Sequence, residues 1–555
     1  AQYTPKPGNE SFSYSDFTFP SDGRWPDPKA MADEIHNNGL KLLLWQIPVL
    51  KYTSYNYQQK DNDESYMISQ GYAVGDGSGG QYRIPSGRWF ENSLLLDFTN
   101  QEATNWWMSK RAYLFYDIGI DGFKTDGGEM IWGRDTSFYN GKTGDEMRNQ
   151  YPNEYIRAYN DFAHSNNSDS VTFSRSGTTG AQSYQIYWAG DQESTFSAFR
   201  EALRAGLSAN ISGVPFWSWD LAGFTGNYPT AELYKRATAM AAFSPIMQFH
   251  SEKANPSISE ERSPWNAAER TGDSTIISTF SRYINTRMNL LPYIYSEAKK
   301  TSETGVPLMR AMVLEYPNDS NTYDLSSQYM FGDNLLVAPI INEGETIKNI
   351  YLPEGEWIDF WWGAQRPGKR TISYYAGVDD IPVFVKSGSI IPMNLNEQYE
   401  LGGTIGNDLT SYKNLTFRVY PKGNISYDWY DDIGGSVKTI TSSEQYDLDK
   451  VTVTLPTINI KSTLQVFTTK PTSVSVNDST LTQYTSLNDL INSTEGWFYD
   501  TEQKFAYVKV APGTVSKTVV LNGVNKVEYE AEFSTMNNVS TNTNHTGYVG
   551  TGFVD

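Results

Sequence analysis

Asp121-Gly-Phe-Lys-Thr-Asp126-Gly-Gly-Glu129 follows directly on a short apolar run, Tyr116-Asp-Ile-Gly-Ile120. Buried parallel strands read as short apolar runs, and in an α/β barrel the chemistry sits at the C-terminal ends of such strands. This reading puts Asp126 at a strand end and predicts that Gly127 and Gly128 leave room for a ligand to approach. Taken alone, a solvated acidic loop after any strand would look the same. A second segment, Tyr187-Trp188-Ala189-Gly190-Asp191-Gln192, repeats the pattern, with an apolar run ending in an aromatic, a glycine and a carboxylate. Two such segments favour a shared site.

Outward from these segments, short apolar strands alternate with helical patterns from about residue 20 to 250, as βαβ units do. Expected strands are Leu40–Trp45, Ile120–Lys124, Val171–Ser174, Gln185–Trp188, Gly213–Trp217 and Ser244–Phe249, with helices over Asp27–Ile35 and Ala103–Arg111. Six strands are two short of a closed eight-stranded barrel. That deficit, the lack of a signal peptide at Ala1-Gln-Tyr-Thr-Pro, and an end at Gly550–Asp555 that reads as mid-strand lead us to expect a piece of a longer protein. Past residue 325, turn signals recur between short strands such as Tyr351–Gly355 and Ile381–Gly388, which predicts β-sandwich modules. The expected division is a partial α/β barrel of TIM type over 1–325, β-sandwiches over 326–397 and 398–523, and the start of a further module over 524–555.

Composition narrows the chemistry. The 555 residues exceed one compact core. A net charge of −20 argues against nucleic acid and anionic membrane surfaces as partners. No stretch approaches the roughly 18 apolar residues of a membrane span. There is no cysteine, so thiolate nucleophiles, disulfides and cysteine metal sites are excluded. His36, His164, His250 and His545 show neither metal-ligand spacing nor a serine pairing. Carboxylates remain as the catalytic groups, and no metal or cofactor is expected. The 15 Trp and 38 Tyr suit stacking on sugar faces, but a β-rich core favours aromatics equally.

Ordered along the chain, Trp25-Pro-Asp-Pro, Lys124-Thr-Asp126-Gly-Gly-Glu, Arg175-Ser-Gly, Trp188-Ala-Gly-Asp191, Asp220-Leu-Ala-Gly-Phe224 and Ala242-Phe-Ser-Pro-Ile-Met-Gln-Phe-His250 form a series. Leu291-Pro-Tyr-Ile-Tyr295, Gln328–Asp333, Tyr351–Trp357 and Ile381-Pro-Val-Phe-Val continue it. From about Trp25 to Pro392 the sequence resembles glycoside hydrolase family 31, retaining enzymes that act on α-glucosides and α-xylosides. The resemblance implies Asp126 as nucleophile and Asp191 as general acid/base. A retaining pair needs carboxyls about 5–5.5 Å apart, which strand ends on one barrel mouth can supply. Asp126 has to remain ionised, with a cation or donors nearby, while Asp191 has to hold a proton, favoured by a water-poor wall such as Trp188.

The resemblance further implies that Arg175 grips sugar hydroxyls or orients Asp191, and that His250, at a strand end, bonds the terminal sugar. It makes Phe224, Trp45 and Trp188 walls of the sugar pocket, with core packing as the alternative. Asp220 is either another carboxylate of the same face, a partner of Arg175 or a helix cap. Many relatives carry Trp-x-Asp where this chain has Lys124-Thr-Asp126, a form familiar from α-xylosidase-like and glucosyltransferase-like branches. Lys124 then either touches substrate and favours ionised Asp126, or pairs with Glu129 or Asp121. Acceptor-site residues are sought in Tyr52–Tyr57 or in the loop Tyr82–Trp89. Val527–Glu532 and Gly547–Asp555 resemble the opening of a carbohydrate-binding module. The whole implies an extracellular enzyme, secreted or at the cell surface, that hydrolyses or transfers α-linked gluco-oligosaccharides. An α-xylosidase and a non-catalytic sugar-binding protein are the alternatives.

Overall fold

The computed structural model describes residues 26–54, 58–251, 261–407, 411–431 and 435–527, with the backbone of 541–542 and 553–554. The chain divides into two compact units, Ala1–Gln192 with Ser208–Asp220, and Glu193–Leu207 with Leu221–Asp555.

In the first unit, five strands lie side by side in chain order, each parallel to the last. They are β1 (Leu43–Gln46), β2 (Gly122–Thr125), β3 (Val171–Ser174), β4 (Ile186–Trp188) and β5 (Trp217–Ser218). This is an arc of parallel strands with long connections between them, as a barrel requires. Helix α1 (Pro28–Asn37) starts where the Asp27 carboxylate accepts the Ala30 amide at 2.9 Å, with Pro28 in the first turn. Asn100 caps α2 (Gln101–Ser109) in the same way. In α3 (Tyr151–Asn166), Tyr151, Tyr155 and Tyr159 recur every fourth residue, so all three share one face and are fully buried. Their rings meet Phe98 and Phe123 edge-on or tilted, with Phe123 and Tyr159 at 5.1 Å. Each such pair adds about 0.5–1.5 kcal/mol beyond area burial.

The apolar run before β2 is not strand. Leu114–Ile118 forms one π-helical turn closed by a left-handed Gly119, and β2 begins at Gly122. Tyr116 stands 74% exposed while Ile118 and Ile120 are buried, a split that a strand buried on both faces would not allow. At the start of β2, Asp121 accepts from the Leu42 amide and is paired with His36 (both 2.8 Å) and Lys41 (3.0 Å). Burial works against this carboxylate's charge, but the Leu42 amide, His36 and Lys41 together hold it below its usual pKa.

The second unit holds α4 (Ala231–Ala242), α5 (Thr275–Asn289) and α6 (Leu291–Thr304). The strand expected over Ser244–Phe249 is absent. Arg287 of α5 instead donates to the carbonyls of Ala242, Ser244 and Pro245 at 2.6–3.2 Å, and Pro245 has no N–H for a ladder. Beyond α6 the chain becomes β-rich. A six-stranded antiparallel sheet runs Gln365–Pro367, Glu356–Asp359, Val383–Lys386, Leu335–Val337, Tyr329–Phe331, Met309–Ala311. Ile347–Leu352 pairs with Arg370–Tyr375 beside it.

Farther on, two sheets close on one core that includes Trp429, Trp497, Phe417 and Leu464. One is five-stranded: Ser389–Leu395, Asn414–Tyr420, Ser462–Phe467, Phe505–Val510, Gly496–Asp500. The other is six-stranded, from Asn424–Asp431 through Ser436–Gln445, Lys450–Leu455 and Lys517–Asn522 to Ser473–Val476 and Ser479–Thr480. Ser389–Leu395 therefore pairs forward, with Asn414–Tyr420, although it precedes residue 397. Trp25, Tyr55–Tyr57 and most of the module sought beyond residue 527 lie outside the described residues; there Thr541–Asn542 pairs with Phe553–Val554.

Candidate active site

Asp126 follows β2 directly, and its amide donates to the carbonyl of Gln46 at the end of β1 (2.8 Å). The backbone of the presumptive nucleophile is thus a rung of the parallel ladder. Below it lies a dry polar layer. Gln46 Oε1 accepts from Arg111 Nε (2.8 Å) and from the Tyr159 hydroxyl (3.0 Å). The Tyr155 hydroxyl donates to the Gln46 carbonyl at 3.0 Å and to that of Asp126 at 3.3 Å. Burial, with Tyr159 and Asp126 nearby, lifts Tyr155 well above its usual pKa, so it stays a donor. Arg111 lies over the Trp107 ring at 4.0 Å, and Trp107 in turn donates to Tyr159 at 2.8 Å.

Three donors face the Asp126 carboxylate. Trp45 Nε1 reaches Oδ2 at 2.6 Å, the Gly127 amide reaches Oδ1 at 2.7 Å, and Arg175 Nη1 stands 3.2 Å from Oδ1. Trp45, expected as a wall, is thus also a hydrogen-bond donor to the Asp126 carboxylate.

Arg175 is the hub of the site. Its Nη1 lies 3.2 Å from Asp126 and 3.5 Å from Asp191, and its Nη2 pairs with Glu129. Burial opposes its charge, but Glu129, then Asp126 and Asp191, more than offset this and hold the guanidinium above its usual pKa. A shared nitrogen limits how far apart the two aspartate oxygens can be. The nearest oxygens of the two aspartates therefore lie within reach of one guanidinium nitrogen, a closeness compatible with the about 5–5.5 Å of a retaining pair.

Other expected residues fall differently. Asp191 follows β4 and is 45% exposed on its side chain, so it is not walled from water in this state. Trp188 is buried, packed on Phe173 at 5.0 Å, with Lys124 Nζ 4.4 Å over its ring. Lys124 thus sits on an aromatic face, while Asp121 pairs with His36 and Lys41, and Glu129 with Arg175. Asp220 is buried two residues beyond β5. Phe224 and His250 belong to the second unit, where their rings meet at 4.3 Å; His250 follows irregular chain rather than a strand.

Gly127 and Gly128 serve packing more than ligand access. Both have positive φ (71° and 103°), and a Cβ on Gly128 would stand 2.7 Å from Ser176 Oγ and 3.3 Å from Pro152. Ser176 also donates to the Gly127 carbonyl, which locks the turn.

Sequence reasoning missed several residues here. Glu129 was visible three positions after Asp126 but had no distinguishing signal. Trp89, in the loop suspected of acceptor contacts, stacks under Arg175 at 5.0 Å and tilts against Trp45 at 6.4 Å. Trp132, half-exposed, carries Arg88 over its ring at 4.0 Å. Among the described residues, the two buried amide atoms of Gln192, next to Asp191, have no hydrogen-bond partner. The Tyr151, Tyr155, Tyr159 stripe was the readable clue to the layer beneath Asp126. No cluster of three metal-ligating side chains occurs among the described residues.

A model of the glycosyl hydrolases family 31 TIM-barrel domain matches residues 6–297, and one of the family 31 C-terminal domain matches 305–391. An isomaltosyltransferase of Sporosarcina globispora is 70% identical over 556 residues, covering 100% of this chain and 51% of that protein. A 1,3-alpha-isomaltosidase of Kribbella flavida is 43% identical over 373 residues, 67% of this chain and 51% of its own. The solved cycloalternan-forming enzyme from Listeria monocytogenes, in complex with pentasaccharide substrate, superposes with a TM-score of 0.92 at 58% identity, over 100% of this chain and 52% of that one. The chain spans about half the length of the relatives it matches. With the barrel-domain match covering more than half its residues, this chain belongs to glycoside hydrolase family 31.

Proposed function

We propose that the chain carries the catalytic centre of a retaining enzyme that moves α-linked glucosyl or isomaltosyl units between gluco-oligosaccharides. The observation that carries this reading is the single Arg175 nitrogen facing both Asp126 and Asp191. In the first step, an Asp126 oxygen attacks the anomeric carbon and the glycosidic C–O bond breaks. Its electron pair goes to the leaving oxygen, which takes the proton of Asp191. In the second, Asp191 accepts the proton of an incoming hydroxyl, whose oxygen displaces the Asp126 ester with a second inversion. The configuration is retained. Substrate arrival itself has to exclude water around Asp191, since its side chain is 45% open without a ligand.

Arg175 fixes the two carboxylates relative to each other and Trp45 aims the nucleophile. The Gln46, Tyr155 and Arg111 layer keeps β1 and β2 from shifting beneath them. Trp89 and Trp132 offer aromatic faces to the sugar chain. His250 and Phe224 would contact the terminal sugar, Lys124 would hold the floor through Trp188, and Asp220 would face the same mouth. The 70% identity to an isomaltosyltransferase supports transfer to a sugar over transfer to water. The five-strand arc reads as part of a closed α/β barrel, followed by a β-rich module that already includes Met309–Ala311, a sandwich that begins with Ser389–Leu395, and a carbohydrate-binding module from 524. The enzyme is proposed to work outside the cell or on its surface.

The test is incubation of the full-length protein with maltotetraose, isomaltose-type oligosaccharides and an α-xyloside, followed by product separation. Longer or cyclic α-glucans of initially α configuration are expected. Free glucose alone would reduce the reading to a hydrolase. Release of xylose only would overturn the sugar assignment in favour of an α-xylosidase. Labelling of Asp126 by a fluorinated glycosyl donor is expected, and its failure would favour a binding protein.

A further inference from the structure

Within the second unit, a cavity of about 630 Å3 opens between the Phe360–Gly363 turn, Gln398–Leu401 and the Phe505–Val510 strand. One wall is aromatic, with Trp361, Trp362, Tyr399, Phe505 and Tyr507. A second, more polar cavity of about 560 Å3 continues from it and shares Arg282, Gln398 and Glu400. The two form one trough. We propose that this trough is a second oligosaccharide site, which holds a neutral α-glucan chain with Trp362 as its stacking platform.

Three observations carry the assignment. The first is Trp362 itself, an indole 72% exposed at the rim of a cavity that already has an aromatic wall. Its backbone is not loose. The buried Asp359 carboxylate accepts the amides of both Trp361 (2.9 Å) and Trp362 (3.0 Å) and is fixed by the Tyr374 hydroxyl at 2.8 Å. Trp361 Nε1 donates to the Ile381 carbonyl at 2.8 Å. A turn pinned at its backbone presents Trp362 from a fixed position, which lowers the ordering cost of binding.

The second is charge. The aromatic cavity is lined by two cations, Arg282 and Arg418, and two carboxylates, Glu400 and Asp500. The polar cavity is also balanced, with Arg282 and Lys413 against Glu397 and Glu400. On a chain of net charge −20, a neutral trough selects against ionic ligands and suits a polyhydroxylated one. Between the charges stand the amides of Gln398, Asn488 and Gln503, each offering paired donors and acceptors to vicinal hydroxyls.

The third is strain. Tyr399, on the wall, holds φ at +59°, a left-handed conformation rarely adopted by a bulky residue. Its hydroxyl is tied to Thr463 Oγ1 at 2.9 Å and its ring meets Tyr507 at 6.0 Å. Strained positions of this kind persist where the surroundings over-determine them, and they gather at binding sites. The identity of the sugar rests on the function proposed above; the existence of the trough and its neutrality do not.

The experiment is affinity electrophoresis of the full-length protein in gels containing dextran, soluble starch or, as control, a β-linked galactan. Wild type, Trp362→Ala and Asn488→Ala/Gln503→Ala are compared, alongside turnover of an aryl α-glucoside. Both variants are expected to keep aryl-glucoside turnover within about two-fold and to bind at least one α-glucan about five-fold more weakly or worse, the usual effect of losing a central aromatic anchor. The amide pair serves as a second readout should Trp362→Ala fold poorly. Wild-type mobility of both folded variants in every α-glucan gel, or equal retardation by the galactan, would overturn the proposal. Trp362-dependent retardation in a protein inert toward every α-glucoside would uphold the trough while sinking the catalytic reading.

Discussion

Replacing Arg175 by Met tests the hub of the site directly. The change keeps much of the side-chain volume and removes the cation facing Asp126, Asp191 and Glu129. Charge-assisted hydrogen bonds are worth about 1.5–3 kcal/mol each. One nitrogen serves both catalytic carboxylates, and effects within one network do not add. A combined loss of about 2–4 kcal/mol follows, roughly 30- to 1,000-fold in kcat/KM. Glu129 reaches the reaction only through Arg175, so it is a positioning residue. Glu129→Gln alone should lower kcat/KM about 5- to 20-fold, and close to nothing in the Arg175→Met background. The assay is kcat/KM on an aryl α-glucoside for the four proteins of the cycle, with folding checked by circular dichroism. Arg175→Met within three-fold of wild type, or the same Glu129→Gln factor in both backgrounds, would refute the reasoning.

Further expectations concern the two carboxylates and the stability of each unit. Asp126→Ala should abolish turnover of every α-glucoside, whereas Asp191→Ala should lose natural substrates but keep glycosylation by donors with excellent leaving groups, which burst kinetics would detect; equal loss on both substrate classes would refute the acid role. Burial, with Asp333 alongside, pushes Glu297 up to about 7. A carboxyl that binds its proton more tightly when folded loses stability as pH rises from about 4.3 through 7. Glu297→Gln should flatten that slope in Tm, and an unchanged slope would exclude Glu297 as its source. Asp121 has the opposite sign: its depressed pKa gives stability that is present above about pH 4 and lost as pH falls through its folded value. Asp121→Asn should cost about 1–3 kcal/mol at pH 7 and progressively less as pH falls below about 4, read by urea denaturation.

Much of the first unit was readable because its signals are local. The helix over Asp27–Ile35 and the carboxylates after Lys124 and Gly190 are announced within a few residues. What escaped depends on distant partners. Ser244–Phe249 has the composition of a buried strand, but Arg287, more than forty residues later, takes its carbonyls. The run before Asp121 was apolar enough for a strand, yet Gly119 closes it as a π-helical turn. At the site, Asp126 and Asp191 were visible in their motifs, whereas the joint grip of Arg175 on both, the floor built by Gln46, and the seating of Lys124 on Trp188 all arise from packing across strands. Pairing choices of that kind leave no periodicity to read.

The two carboxylates proposed as catalytic are anchored unequally. Asp126 extends a strand flanked on both sides, over a layer where Tyr155, Tyr159 and Arg111 all hydrogen-bond to Gln46. Few substitutions there would leave the fold intact. Asp191 hangs from a short strand, half open to solvent and tied to the nucleophile through one guanidinium. On the proposed mechanism, ester formation therefore rests on the more firmly held carboxylate, while the fate of the ester is decided beside the more loosely held one. Changes around Asp191, Trp89 and Trp132 could retune the choice between water and a sugar acceptor without disturbing the first chemical step.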